Sequence, residues 1–425
     1  MTVAMEHQAA RTVSAREIGC FLLLFVVLLG PALINAFPLV MEDSIAYSGQ
    51  GPHWMRGKSA AVLVALPYRL AGYWALPLIN CAMNAAAWIL LVRIFSIRPN
   101  PFLVLLLACA SLQPLYASAV LVDAWFFPAV VLLLSAGRLP PVFVGALAGL
   151  LLSSHGSGHV MACVFAILAA GLCRSHRLVF AALVAAIVAF GFNLLLDSAY
   201  ATNQPRLAKT FPAARAFSVQ PELLAREAER SGDPMLVEAA GILRELEKDP
   251  ALSARRDLFW DIWKQTEGRF DLAKFEQEHA GSIIRDAFVY RPFGLLLSIG
   301  KDFASFYGPD TRLDFQPVLS EPFPSGFDAS LQAEGFFMAP AVRHVATALR
   351  YACYLTFLVS LWFGWRLAPA SLRKVIAGAV LLLIANDVMF AILSGPPDRY
   401  HHRALPLLAA AALLLLSQRR AIKPL

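Results

Sequence analysis

Three features of this sequence predict an all-α, polytopic membrane fold with about ten transmembrane helices and one helical extracytoplasmic insertion. Of 425 residues, 58% are hydrophobic and 15% charged, against roughly a quarter charged in soluble domains. Mean hydropathy is +0.61. The apolar runs have helical length, unlike the short alternating segments of an outer-membrane barrel. Basic residues also fall unevenly between the connecting loops, as orientation in a bilayer requires.

Taken in order, the candidate spans are 18–39, 73–93, 101–121, 124–137, 141–154, 159–173, 178–196, 347–366, 374–394 and 404–418. The first run is long, follows Arg11 and Arg16, and lacks a small-residue cleavage site, so it reads as a true span rather than a cleaved signal. Alternation from a cytoplasmic N-terminus puts Arg93, Arg98, Arg138, Arg174, Arg177, Arg366, Arg373 and Lys374 inside. Arg56, Lys58, Arg69, Arg399 and Arg403 fall outside, and an even number of crossings returns the C-terminus to the cytoplasm. The chain thus divides into 1–196, a soluble extracytoplasmic insertion at 197–346, and 347–425. Within the insertion, Leu223, Leu224, Met235, Leu236, Ile242, Leu243 and Leu246 follow helical spacing. Phe259, Trp260, Trp263, Phe270 and Phe275 form an aromatic face, and 292–307 suits an interfacial helix.

The net charge of +7 fits orientation and anionic lipid better than nucleic acid. All six cysteines (Cys20, Cys81, Cys109, Cys163, Cys173 and Cys353) lie in or beside apolar runs without metal-ligand spacing, so no disulfide framework is expected. The sequence holds no GxxxxGK[ST], GxGxxG, GxSxG or CxxCH motif, which argues against a nucleotide-driven engine.

Candidate chemistry clusters on one predicted side. Glu42 and Asp43 end the first span, where a carboxylate must stay wet or meet a cation. A carboxylate near lipid has raised proton affinity and suits a general base, and Tyr47, Arg56 and Lys58 in the same loop are candidates to bind a part-lipid, part-polar substrate; the plainer reading is a helix cap or a pair with Arg56 or Lys58. Asp43 is favoured, because a helical segment would set it on one face with Tyr47. Asp123 either caps the following helix or presents a second acid to the same compartment. His155 and His159 have i, i+4 spacing, but the glycines between them and the absence of HExxH argue for a polar pocket or ordinary loop over a metal site. In GPPDRYHHRALP, Arg399, Tyr400, His401 and Arg403 suit phosphate binding, or an interfacial anchor without chemistry. Asn386 and Asp387 form a buried polar pair suited to joining helices.

These stretches resemble the GT-C class of membrane glycosyltransferases. The parallels are the acidic Glu42–Asp43 with Tyr47 after the first helix, Val122–Asp123–Ala124 opening an apolar helix, and Arg399–Tyr400 before Leu405–Pro406. They do not extend to 197–346. The resemblance implies a polyprenyl-phosphate sugar as donor, Asp43 (or Glu42) as catalytic carboxylate, and Arg399 with nearby Arg403 on the departing phosphate. It further implies sugar transfer with inversion to a lipid, glycan or protein acceptor of a bacterial envelope, at the outer face of the inner membrane. A divalent cation is compatible with such a site. A transporter or lipid flippase is the competing class and would show broken helices and repeat symmetry. A non-catalytic assembly protein would use the aromatic face of 197–346 to bind an envelope partner.

Overall fold

The computed structural model describes residues 13–40, 44, 47, 58–98, 100–199, 209–248, 258–266, 269–308, 340–393 and 398–420. Among these the elements are helical, with one parallel β-bridge between Leu39 and Ala119. Five helices are long and apolar enough to cross a membrane: Ala15–Ile34, Lys58–Ile94, His176–Ala199, Ala341–Gly364 and Ala370–Leu393. Shorter apolar helices cover Pro101–Ala110, Asp123–Ser135, Pro141–Ser153 and Gly158–Cys173. The chain is therefore a helical membrane protein. It forms two compact units, one from 1–200, 309–386 and 398–425, the other from 201–308 and 387–397.

The first unit begins with α1 (Ala15–Ile34), opened by a reciprocal capping box between Ser14 and Glu17. Two helices follow, α2 (Lys58–Ala71) and α3 (Ala75–Ile94). The predicted single span over 101–121 is corrected. α4 (Pro101–Ala110) stops, Leu112 turns left-handed at φ 59°, and α5 (Gln113–Ala117) is only one turn long. Residues 118–122 then run without helix, fully buried. Buried backbone outside a helix must find other partners, and α3 supplies them. Asn80 Nδ2 donates to the carbonyls of Ala119 (3.1 Å) and Leu121 (2.8 Å), while Leu39 exchanges bonds with Ser118 and Val120.

After this stretch come α6 (Phe126–Ser135), shorter than the predicted 124–137, then α7 (Pro141–Ser153), α8 (Gly158–Leu168) and α9 (His176–Ala199). α7 packs along α9 so closely that a Cβ on Gly145 or Gly149 would lie 2.4 Å from Ala181 O or 2.7 Å from Ala185 O. This is the small-xxx-small packing of membrane helices, where backbone approach replaces hydrophobic drive. At one end of the unit Glu17 takes two bonds from Arg93 (2.8 and 3.0 Å), Arg138 reaches Arg93 O, and Arg177 reaches Ala136 O and Leu139 O.

The second unit holds α10 (Thr210–Val219), α11 (Glu222–Ser231), α12 (Pro234–Glu247), α13 (Leu258–Gln265), α14 (Leu272–Lys274), α15 (Ala280–Tyr290) and α16 (Pro292–Ser305). The expected aromatic docking face is corrected at three positions. Phe259, Phe270 and Phe275 are buried and pack on one another as a core, joined by Phe217. In α16, Asp302 turns inward to pair with Arg215, while Phe293, Leu296 and Leu297 stay exposed. The first unit closes with α17 (Pro340–Gly364), α18 (Ala370–Leu393, its residues from 387 on counted with the second unit), α19 (Asp398–His402) and α20 (Pro406–Arg420).

Candidate functional site

The unwound stretch 118–122 delivers Asp123, which opens a short 3₁₀ turn and makes no capping bond. The capping explanation therefore does not hold. Its carboxylate is buried and meets Arg403, with Oδ1 3.7 Å from Nη1. Arg403 is held from every side. Nε donates to Asn386 Oδ1 (2.9 Å), Nη2 donates to Ser157 Oγ (3.2 Å), and the guanidinium lies 4.9 Å over the Phe126 ring. Such fixing suits a guanidinium, whose planar fork meets several acceptors at once.

Ser157 passes the connection on. Its backbone N–H and hydroxyl both point at His155 Nδ1 (3.3 and 2.8 Å). A backbone N–H can only donate, so Nδ1 accepts and the imidazole proton sits on Nε2. The His155 ring meets Tyr400 edge-on at 5.7 Å. Of the two glycines that argued against a helical histidine pair, Gly158 has a packing reason, since a Cβ there would lie 1.8 Å from Leu152 O, whereas Gly156 faces open space. His159 instead packs on Phe190 of α9, so the two histidines have different neighbours. Among the described residues no three His, Cys, Asp or Glu side chains converge on a metal-sized site.

Arg399 donates to Tyr400 Oη (2.9 Å) and stacks on that ring at 4.8 Å, both residues being buried. Asn386 secures the turn by donating to Tyr400 O (2.7 Å). Tyr47 of the first loop belongs to the same neighbourhood. Burial raises its phenol far above the ordinary range; the charges of Asp123 and Tyr400 push the same way, and that of Arg399 opposes them. Ser44, on the same loop, donates to Val120 O (2.8 Å). Three stretches remote in sequence, around residues 44–47, 120–123 and 399–403, therefore meet at one buried polar cluster.

Beside them lie two Tyr–His pairs, Tyr354 Oη to His401 Nε2 (2.6 Å) and Tyr116 Oη to His402 Nδ1 (2.7 Å). Burial, then His401 and the buried Arg350, hold His402 well below its usual value, so it is neutral. Lys58 is buried at the start of α2, with Asp197 of α9 3.6 Å away. Glu42, Asp43 and Arg56 lie outside the described residues. Sequence reasoning missed Tyr116, Ser157, Arg350 and Tyr354, and had His402 only as part of the 395–406 stretch. Arg350, a charge inside a predicted span, was the one legible signal among them.

No protein-family model matches the chain, and no curated protein or solved structure matches it. Fold and site together define a helical membrane protein with a buried cationic–aromatic cluster.

Proposed function

We propose that this chain is an inverting, GT-C-like glycosyltransferase that uses a polyprenyl-phosphate sugar at the extracytoplasmic face of a bacterial inner membrane. It would cross the bilayer about ten times, with both termini cytoplasmic. The observation that carries the reading is the convergence of three remote stretches: Ser44 donates to Val120 O, Tyr47 packs in one core with Val120–Val122, Asp123 lies 3.7 Å from Arg403, and Arg399 stacks on Tyr400. These are the stretches on which the resemblance rests, and their convergence is what a single active site needs.

In the proposed reaction an acceptor hydroxyl oxygen bonds to the anomeric carbon while the bond from that carbon to the phosphate oxygen breaks. The phosphate leaves with the electron pair, and the hydroxyl proton passes to Asp43, with Glu42 as substitute. Arg399 offsets the charge on the departing phosphate. Arg403, already engaged by Asn386 and Ser157, positions Asp123.

Transfer of labelled hexose from polyprenyl phosphate by the purified protein tests this. Asp43→Asn is expected to lower turnover about 10²–10⁴-fold, the span of a general base. Arg399→Ala is expected to lower it about 10²-fold or more, as loss of a charge-stabilising donor does. Retention of wild-type turnover by Asp43→Asn sinks the assignment.

A transporter is the second reading, favoured by the interruption of the chain at Leu112 and the unwound 118–122. It predicts movement of the lipid-linked sugar across proteoliposomes with no sugar transferred.

A further inference from the structure

The first unit holds an apolar crevice separate from the polar cluster. α18 makes no extended close backbone approach to another described helix, although Ile376, Leu382 and Leu383 are buried. The space beside it is walled by Phe127 and Leu134 of α6, Leu172 after α8, Gly378 and Leu382 of α18, and Leu414 of α20. The space is part-open, about 660 Å³ with the solvent at its mouth counted. Walls of this kind offer dispersion contacts along their length to an apolar chain.

Two features select the occupant. Along α18 the crevice runs from Lys374 to Leu382, about 12 Å of helix axis, comparable with the ~15 Å hydrocarbon depth of one leaflet. Lys374 is the one charged residue of the wall, and its side chain is exposed. Twelve residues of α18 separate it from Asn386 and the polar cluster, about 18 Å. The cationic end is thus the end away from the candidate site. Basic side chains at the mouth of a pocket between membrane helices attract acidic headgroups.

We infer that this crevice binds one acyl chain of an anionic phospholipid, with the lipid phosphate against Lys374. The inference rests on the membrane class of the protein and stands apart from the transferase reading. Native mass spectrometry of the purified full-length protein, titrated with phosphatidylglycerol or phosphatidylcholine, tests it. Phosphatidylglycerol should be retained in preference. Lys374→Gln should lower that retention about fivefold, the loss of one near-surface charge contact of about 1 kcal/mol, and leave phosphatidylcholine unchanged. Gly378→Leu, which fills the crevice, should lower retention of both lipids. Equal retention of the two lipids by the wild type, or indifference to both substitutions, overturns the inference, as does displacement of phosphatidylglycerol by polyprenyl phosphate. Arg399→Ala should leave lipid retention intact, which keeps this result independent of the transfer assay.

Discussion

Asn80 shows how one side chain lets backbone leave the helix inside an apolar protein. Its amide donates to Ala119 and Leu121 carbonyls and accepts from Trp125 Nε1 (2.7 Å). One turn on, Asn84 donates to Ala124 O and accepts from Gln113, which in turn accepts from Trp88. Asn80→Leu would strand the Leu121 carbonyl and the Trp125 indole N–H in a buried setting, while Ala119 O keeps the Leu121 N–H (2.9 Å). The expected loss is about 2–4 kcal/mol, visible as a lower unfolding temperature of the purified protein; an unchanged midpoint would show that these two groups are satisfied otherwise. None of this was legible in the run 73–93, because hydropathy averages a residue without reporting what it faces. Asp123 was legible as a buried acid on the same grounds as any charge beside lipid. Its partner Arg403 was legible only as a nearby cation, since the pairing depends on where Asn386 and Ser157 hold the guanidinium.

At the scale of elements, α11, α12, α14 and the turn before α15 are tied by one buried node. His279 faces Glu227 through Nδ1 (2.9 Å) and Asp233 through Nε2 (3.0 Å), and Lys274 meets the same Asp233 oxygen at 2.8 Å. Burial works against the charged form of Asp233, yet Lys274, the Met235 N–H and His279 outweigh it and hold the carboxyl below its ordinary 3.8. A carboxyl depressed on folding stabilises the fold above its unfolded value, and that contribution disappears as pH falls through the lower folded value. Amide exchange in α11, α12 and α15 should therefore accelerate as pH drops from neutral to below about 4, after correction for intrinsic exchange. Asp233→Asn should flatten that dependence; a variant with the wild-type profile would assign it to other groups. The helices themselves were readable from apolar spacing, as the burial of Leu223, Leu224, Leu236, Leu243 and Leu246 shows. The aromatic residues misled at this scale, because a stripe pattern is the same whether it faces a partner or a core.

For the whole molecule, the sequence-derived topology makes a directional claim. Arg93, Arg138 and Arg177 gather at the end of the first unit where Glu17 lies, and α6 leads from Asp123 to that end. The basic end should be cytoplasmic and the insertion extracytoplasmic. In a cysteine-free background, Gly241→Cys should react with a membrane-impermeant maleimide added outside intact cells. Leu139→Cys should react only after permeabilisation. Both positions are exposed and so report sidedness rather than burial. The opposite labelling pattern would invert the topology and remove the extracytoplasmic transferase.

Composition by itself determined that this protein is helical and lives in a bilayer, because transfer energies add residue by residue and a spanning backbone must close its own hydrogen bonds. It also marked the polar positions worth testing, since a charge in an apolar run is costly wherever the run goes. Only the tertiary structure decided which of them act together. Tyr47, Asp123 and Tyr400 share one environment, Lys58 meets Asp197, and His159 meets Phe190. It likewise broke the chain at Leu112, where α3 offered 118–122 the partners that a local helix would otherwise have supplied. Local solvation is written along the chain, whereas contact between residues hundreds of positions apart is settled by packing.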